Sequence, residues 1–317
     1  MTPVVAPGLE EIIKAKERIA GFILRTPLVR LNVDDAPAEI YLKLENLQPI
    51  GSFKLRGAGN AMQQIGAEKL SKGVYTASAG NMAQGVAWFA RQLGVPCQVI
   101  VPDHAPETKL LAIERLGGSF QKVSFDDWWK VIIEHEFPGM DGFFIHPVSN
   151  TAVMAGNGTI GLEILEDLPD VDTVVIPFGG GGLSCGIASA IRIKKPATKI
   201  FACEVGTAAP LKAALMSGSP QTIEYTSSFV DGIGGKSVLE EMWPLVKSLI
   251  HDSIVVPLTE VASALKLLME RNRVISEGAG ATPVAAALSG KAGTGKIVCV
   301  ISGGNIYIHK LLKVLSD

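Results

Sequence analysis

The sequence predicts an α/β fold of two open lobes, with mostly parallel sheets and a ligand cleft between the lobes. Short apolar strand patterns alternate with amphipathic helix patterns along nearly the whole chain. This favours parallel strands, because each crossover must return over the sheet. The length of 317 residues allows two hydrophobic cores. Glycine-rich turns follow several strand patterns, at the carboxyl ends where open α/β sheets bind ligands.

The first half of the chain gives the clearest alternation. Apolar residues at a 3.6-residue period predict a helix over residues 9–23, and strict alternation predicts a strand over residues 40–45. Three pairs of a strand and a following helix come next, at residues 74–77 with 82–93, 97–101 with 107–116, and 120–125 with 128–137.

The second half continues with longer units. A strand over residues 142–146 leads into a glycine-spaced helix over residues 155–165. Further strands, each before a helical pattern, are predicted at residues 174–177, 200–203, 253–256 and 297–301. We therefore expect a large domain formed by residues 1–48 and 147–317, and a small domain formed by residues 49–146.

Composition and charge argue against several classes of protein. A formal net charge of -2 and the lack of any Lys/Arg block disfavour nucleic acid or an anionic membrane surface as partner, so we expect a small molecule. Apolar runs fall short of the ~18 residues of a membrane span, and the N-terminal residues lack signal-peptide features, which predicts a cytoplasmic protein. The four cysteines occur singly in apolar contexts, as buried free thiols do.

The stretch IGSFKLRGA at residues 50–58 combines a glycine turn with the start of a helix. Ser52 is a candidate N-cap, which leaves Lys54 in the first helical turn. The helix dipole disfavours a cation there by roughly 0.3–1 kcal/mol, and a neutral amine is the form that attacks an aldehyde. Taken alone, the segment favours the ordinary alternative, a solvated surface lysine.

Four consecutive glycines, Gly179, Gly180, Gly181 and Gly182, stand between a predicted strand and a predicted helix. Such a turn can direct its backbone N–H groups at a phosphate, and the helix N-terminus adds a positive potential. A flexible turn is the weaker alternative, because four glycines cost much chain entropy. A dinucleotide site is also weak, since GGGGL does not match GxGxxG, although Glu204 lies 22 residues past Gly182.

Two more glycine-containing turns follow predicted strands. Residues 78–85 read SAGNMAQG, in which Asn81 can either donate to a ligand oxygen or form an Asx turn or N-cap. Residues 302–305 read SGGN, and the hydroxyl of Ser302 can bond an uncharged ring nitrogen. Together with Lys54, these turns predict a phosphorylated, ring-bearing aldehyde cofactor held as a lysine imine.

The stretches GSFKLRGA, SAGNMAQG, FGGGGL and SGGN, in this order, resemble the pyridoxal-phosphate enzymes of fold type II, the tryptophan synthase β superfamily. The threonine/serine dehydratase branch is the most similar. The resemblance implies that Lys54 forms the imine with pyridoxal 5'-phosphate, Phe53 packs on the ring and Asn81 bonds its 3'-oxygen. It further implies that Gly179 to Gly182 hold the phosphate and Ser302 faces the ring nitrogen. Substrate contacts are expected from Ser78, Ala79, Gly80 and Asn81.

The activity that the resemblance implies is elimination of water from a β-hydroxy-α-amino acid, with Lys54 taking the Cα proton. L-Threonine, L-serine or an arylserine such as phenylserine would give a 2-keto acid and ammonia. A cysteine-synthase-like β-replacement enzyme and a catalytically silent pyridoxal-phosphate protein stay open as alternatives. Because relatives are commonly dimers, we expect a homodimer.

Several positions depart from the family pattern. Ala79 stands where serine racemases carry a second serine, which disfavours racemisation, and Met82 replaces a common histidine. His146 and Pro147 lack the acidic pair that often follows them. Pro210 replaces the second carboxylate that accompanies Glu204 in cation-binding relatives, so we expect no metal.

Two adjacent tryptophans, Trp128 and Trp129, lie in a predicted helix. We expect them to pack on the sheet rather than contact substrate. If one of them lined the cleft, a substrate with a bulky or aryl β-substituent would be favoured.

Overall fold

The computed structural model describes residues 2–316, which form ten strands and thirteen α-helices. The strands are β1 (Leu28–Arg30), β2 (Glu39–Lys43), β3 (Val74–Ala77), β4 (Cys97–Pro102), β5 (Ser119–Val123), β6 (Phe143–Phe144), β7 (Thr173–Pro177), β8 (Lys199–Val205), β9 (Asp252–Val256) and β10 (Lys296–Val300). The helices are α1 (Leu9–Ile19), α2 (Lys54–Gln63), α3 (Ala67–Ser71), α4 (Asn81–Leu93), α5 (Glu107–Arg115), α6 (Phe125–Glu134), α7 (Thr151–Asp167), α8 (Gly182–Lys194), α9 (Pro210–Ser217), α10 (Trp243–Leu249), α11 (Leu258–Leu267), α12 (Gly278–Leu288) and α13 (Ile308–Ser316).

The strands form two separate sheets, which confirms the predicted α/β class. The larger sheet has the order β1-β2-β10-β7-β8-β9, and the smaller has the order β5-β4-β3-β6. All pairs are parallel except β1 with β2. Strands β10 and β7 are neighbours, so the turns that follow them leave the sheet side by side.

The small sheet draws its strands from residues 74–144 and the large sheet from residues before and after that segment. This arrangement supports domain limits of 1–48 with 147–317 and 49–146, which stay a proposal. All four cysteines are buried and free, as predicted. Among residues 2–316, no helix combines the length and apolar character that crossing a membrane requires.

Most element boundaries lie close to the predicted ones, but α6 differs in a way that matters for the cleft. Its predicted start was residue 128, whereas the helix begins at Phe125. The cause is Ser124, whose hydroxyl accepts a hydrogen bond from the Asp127 backbone N–H at 3.1 Å and so caps the helix. The preceding strand, predicted to reach residue 125, therefore ends at Val123.

Close packing of α2 on α7 sets the position of Lys54, the first residue of α2. A Cβ atom on Gly156 would lie 2.3 Å from the Arg56 carbonyl oxygen, and one on Gly57 would lie 2.7 Å from the Val153 side chain. Only glycine permits this approach of the two helices.

A buried charge network lies beneath the same helix pair. The Arg56 guanidinium donates to both oxygens of Glu45, at 2.8 Å each, and to both oxygens of Glu163, at 2.6 and 2.9 Å. Lys43 donates to Glu163 at 2.6 Å. Burial alone would raise the pKa of Glu163, but the Arg56 and Lys43 charges hold that pKa below its usual value. The carboxylate is therefore ionised inside the fold.

Glu163→Gln should destabilise the protein by about 3–5 kcal/mol, because it removes one partner from a buried charge cluster. Chemical unfolding monitored by circular dichroism measures the change. The matched control is Glu166→Gln, three residues along the same helix, where the exposed pair with Lys16 is worth less than about 1 kcal/mol. Equal effects of the two substitutions would contradict the assignment.

Candidate active site

One cavity of about 470 Å³ collects the sequence-predicted site residues. It lies at the carboxyl ends of β3, β7 and β10 and at the start of α2. The predicted residues that line it are Phe53, Lys54, Ser78, Ala79, Gly80, Asn81, Gly179, Gly180, Gly181, Gly182 and Ser302. The structure shows that these residues line one cavity, and the role of each toward a ligand stays a prediction.

Lys54 is partly buried, and its amine donates a hydrogen bond to the Pro147 carbonyl oxygen at 2.9 Å. The amine lies 5.3 Å from the centre of the Phe53 ring. Burial lowers the pKa of Lys54 to about 8, against the opposing attraction of Glu277. The sequence predicts this direction from the helix dipole, and removal of the amine from water is the cause of the shift in the structure.

The lysine turn is joined to the turn after β10 by backbone hydrogen bonds. The Phe53 N–H donates to the Ser302 carbonyl at 3.0 Å, and the Gly304 N–H donates to the Gly51 carbonyl at 2.9 Å. Phe53, not Ser52, occupies the N-cap position of α2. The Ser52 hydroxyl accepts from the Lys54 N–H only at a long 3.4 Å. The expected Ser52 cap is therefore wrong, because pairing with the β10 turn fixes the backbone here.

The four glycines connect β7 to α8, and Gly181 occupies the N-cap position with φ +96°. Within residues 2–316, the N–H groups of residues 179–183 donate no hydrogen bond to another backbone group, and no side chain caps the helix. Free donors at a helix N-terminus attract an anion. The geometry therefore fits the predicted phosphate-binding loop.

Ser302 and Asn81 present polar groups to the same cavity. Ser302 is 3% exposed, and within the described residues no hydrogen bond involves its hydroxyl. Asn81 is the first residue of α4, and its side chain does not cap that helix. The Asn81 amide oxygen instead accepts from Asn305 at 2.8 Å. Its orientation is thus set by contacts outside its own helix.

Glu277 is the site residue that the sequence argument missed. Both of its carboxylate oxygens accept from the Asn81 amide nitrogen, at 2.9 and 3.2 Å. Burial raises the pKa of Glu277 to about 7, an effect that the Asn81 hydrogen bond partly opposes. The sequence signal that could have identified Glu277 is its position directly before GAGA, a run of small residues at 278–281. A Cβ on Gly280 of that run would lie 2.5 Å from the Ser276 hydroxyl.

His146 holds the turn that carries the carbonyl partner of Lys54. Its Nδ1 accepts from the backbone N–H groups of Val148 and Ser149 at 3.0 and 2.7 Å, and its Nε2 lies 3.0 Å from the Ile132 carbonyl oxygen. The ring must therefore be neutral, with its proton on Nε2. Burial lowers the pKa of His146 to about 3.

Two groups that could suggest metal binding already take part in protein hydrogen bonds. His146 belongs to a cluster with His135 and Glu241 whose ligand atoms lie within 4.8 Å of one another, but both of its nitrogens are already engaged. The Glu204 carboxylate accepts from the N–H groups of Leu211 and Lys212, both at 2.8 Å, and so caps α9. Glu204 therefore serves a structural role.

Trp128 and Trp129 also line the cavity. The expectation that they pack on the sheet is only half right. Trp128 does pack against the core, yet both rings face the cleft as well. Phe125, which the earlier start of α6 includes in the helix, lies on the same helix face.

His146 should make stability depend on pH. In the unfolded chain it takes up a proton near pH 6.5, whereas the folded protein keeps it neutral down to about pH 3. The contribution of His146 to stability is therefore full above pH 6.5 and falls as the pH drops, by about 2 kcal/mol at pH 5, while the raised pKa of Glu277 contributes in the opposite direction. Urea unfolding at several pH values should show that His146→Asn removes this contribution, so that its pH dependence differs from that of the unmodified protein by this slope. His309→Asn, an exposed control, should keep it, and an unchanged slope in both would refute the assignment.

Comparison with known proteins identifies the family. The chain is 39% identical over 308 residues to the L-threonine ammonia-lyase of Geobacter sulfurreducens, covering 95% of this chain and 76% of that protein. It is 38% identical over 316 residues to the Escherichia coli L-threonine dehydratase catabolic TdcB, covering 97% and 95%. Among solved structures, maize serine racemase superposes with a TM-score of 0.89 at 31% identity, covering 98% of each chain. The model of the pyridoxal-phosphate dependent enzymes matches residues 19–303, so the chain belongs to this family.

Proposed function

We propose that this protein is a pyridoxal-phosphate dependent ammonia-lyase that removes water from a β-hydroxy-α-amino acid. The dehydrated product, an enamine, then takes up water and hydrolyses to a 2-keto acid and ammonia. The observation that carries the proposal is a lysine amine of lowered pKa in a cavity that also holds an uncapped glycine loop and a free serine hydroxyl. The similarity to L-threonine ammonia-lyases over 95% of the chain supports the same reaction.

The residues of the cavity fit the cofactor. The free N–H groups of residues 179–183 would hold its phosphate, and Phe53 would contact the face of its ring. The hydroxyl of Ser302 suits an uncharged ring nitrogen, and Asn81 would meet the ring's 3'-oxygen. The bound cofactor supplies an electron sink for the charge left on Cα.

Lys54 is the base in this proposal, and it takes the Cα proton at Nζ. With a pKa of about 8, far more of the amine is neutral near neutral pH than in an ordinary lysine. The Pro147 carbonyl holds the amine in place between proton transfers. Ala79 offers no proton-transfer group, so elimination is favoured over racemisation although serine racemases share the fold.

Assembly and location rest on the family resemblance. We infer a homodimer in the cytoplasm that takes a small amino acid as substrate, as the sequence predicts.

The purified protein, loaded with cofactor, should convert at least one of L-serine, L-threonine and phenylserine to a keto acid with equimolar ammonia. Lys54→Ala should abolish turnover, because it removes the proposed base, while Lys266→Ala on the exposed face of α11 should leave it unchanged. A coupled keto-acid assay and ammonia release measure both products. Product only in the presence of an added thiol would favour β-replacement, and an absorption spectrum that no amino acid perturbs would favour a silent cofactor protein.

Capture of the cofactor aldehyde by the protein free of cofactor should follow the neutral fraction of Lys54. The rate should rise about tenfold per pH unit up to about pH 8 and level off above it. Stopped-flow absorption measures this rate. Glu277→Gln should move the midpoint to lower pH, because the Glu277 charge raises the pKa of Lys54.

The exposed carboxylate of Glu260 provides the control for that series, since Glu260→Gln should not move the midpoint. A capture rate that keeps rising to pH 10 in the unmodified protein would mean that Lys54 behaves as an ordinary lysine.

A further inference from the structure

We infer that the preferred substrate carries an aryl group on its β-carbon, as phenylserine does, and that the ring lies against the aromatic face of α6. The inference rests on the proposed function and narrows its substrate class. Phe125, Trp128, Trp129 and Ile132 line the cavity at helical positions i, i+3, i+4 and i+7. Such spacing puts all four on one face of α6. The helix thus turns an apolar face toward the ligand space.

The rings on this face form a continuous aromatic surface. The centres of the Phe125 and Trp128 rings lie 5.6 Å apart, and those of Trp128 and Trp129 lie 6.1 Å apart. His104 extends the row, 6.0 Å from Phe125. These are the separations at which aromatic rings attract one another, and a substrate ring can join such a row in the same way.

Two members of the surface stay open to water. Phe125 is 42% exposed and Trp129 is 36% exposed, although both are large apolar side chains. Exposed apolar surface grouped inside a concave cavity marks a place where an apolar group binds. The indole N–H of Trp128 is buried and has no acceptor among the described residues, so the part of Trp128 that faces the cavity is its apolar ring surface.

The aromatic face lies close to the reacting amine. The Ile132 carbonyl, one helical turn after Trp128, contacts His146 Nε2 at 3.0 Å. Pro147, the residue that follows His146, accepts a hydrogen bond from the Lys54 amine at its carbonyl oxygen, at 2.9 Å. This short chain of contacts connects α6 to the turn that holds Lys54, and both line the same cavity.

The size of the β-substituent decides how much of the aromatic surface a substrate covers. The β-hydrogen of serine or the methyl of threonine would leave the rings of Phe125, Trp128 and Trp129 uncovered. An aryl ring covers them.

The first experiment compares kcat/KM of the cofactor-loaded protein for both diastereomers of phenylserine, for L-threonine and for L-serine. We expect at least a tenfold higher kcat/KM for one phenylserine diastereomer than for either aliphatic substrate. An equal or higher value for threonine or serine would overturn this inference while leaving the proposed function intact. No keto acid from any of the four would refute the proposed function and the inference with it.

A second experiment assigns the preference to α6. Trp129→Ala should lower the ratio of kcat/KM for phenylserine to that for threonine roughly tenfold, and Trp129→Phe should restore most of it. Because both substrates are measured on the same preparation, a smaller amount of folded protein cancels out of the ratio. The control is Trp243→Ala in α10, which does not line the cavity and should leave the ratio unchanged. An unchanged ratio in Trp129→Ala would overturn the assignment.

Binding of compounds that cannot lose water gives a measurement independent of turnover and of variant folding. L-Phenylalanine and L-alanine lack the β-hydroxyl and differ only in the ring. We expect L-phenylalanine to inhibit at a concentration at least tenfold lower than L-alanine does. Equal inhibition by the two would overturn the inference.

Discussion

The position of Lys54 depends on the buried ion pairs of Arg56, two residues further along α2. One guanidinium binds two carboxylates through paired hydrogen bonds, to Glu45 after β2 and to Glu163 on α7. Lys43 brings the network to two cations and two anions, all buried. Removing these charges from water is costly, so their main effect is to fix one geometry rather than to add stability. The first turn of α2 therefore has a single orientation toward the cavity.

On the cavity side, the surroundings of Lys54 are polar but carry little net charge. Its hydrogen-bond partner is a carbonyl, and the adjacent turn is held by a neutral histidine. The pKa of Glu277, raised to about 7 by burial, means that part of its population is uncharged near neutral pH. A fully ionised carboxylate in contact with Lys54 would favour the ammonium form. The low net negative charge around Lys54 thus favours the neutral form of its amine.

Local sequence signals predicted the parts of the site that a single segment determines. Strand β3 begins and ends as predicted. The glycine loop lines the cavity, and its signal could be read because it lies in four adjacent residues. Contacts between distant segments could not be predicted in this way. Pro147 and Glu277 act through partners 93 and 196 residues away. Ser52 failed as a cap for the same reason, since hydrogen bonds to the β10 turn override its local preference.

Val148 packs against the glycine loop of residues 179–182 from the turn that also carries Pro147. A Cβ on Gly180 would lie 2.6 Å from the Val148 side chain, and one on Gly182 would lie 2.9 Å from the Val148 carbonyl oxygen. Any bulk added to that loop must push the adjacent Pro147 carbonyl, and with it the tether of the lysine. The position of the glycine loop and the position of the Lys54 amine are thus mechanically linked, and neither can be changed alone.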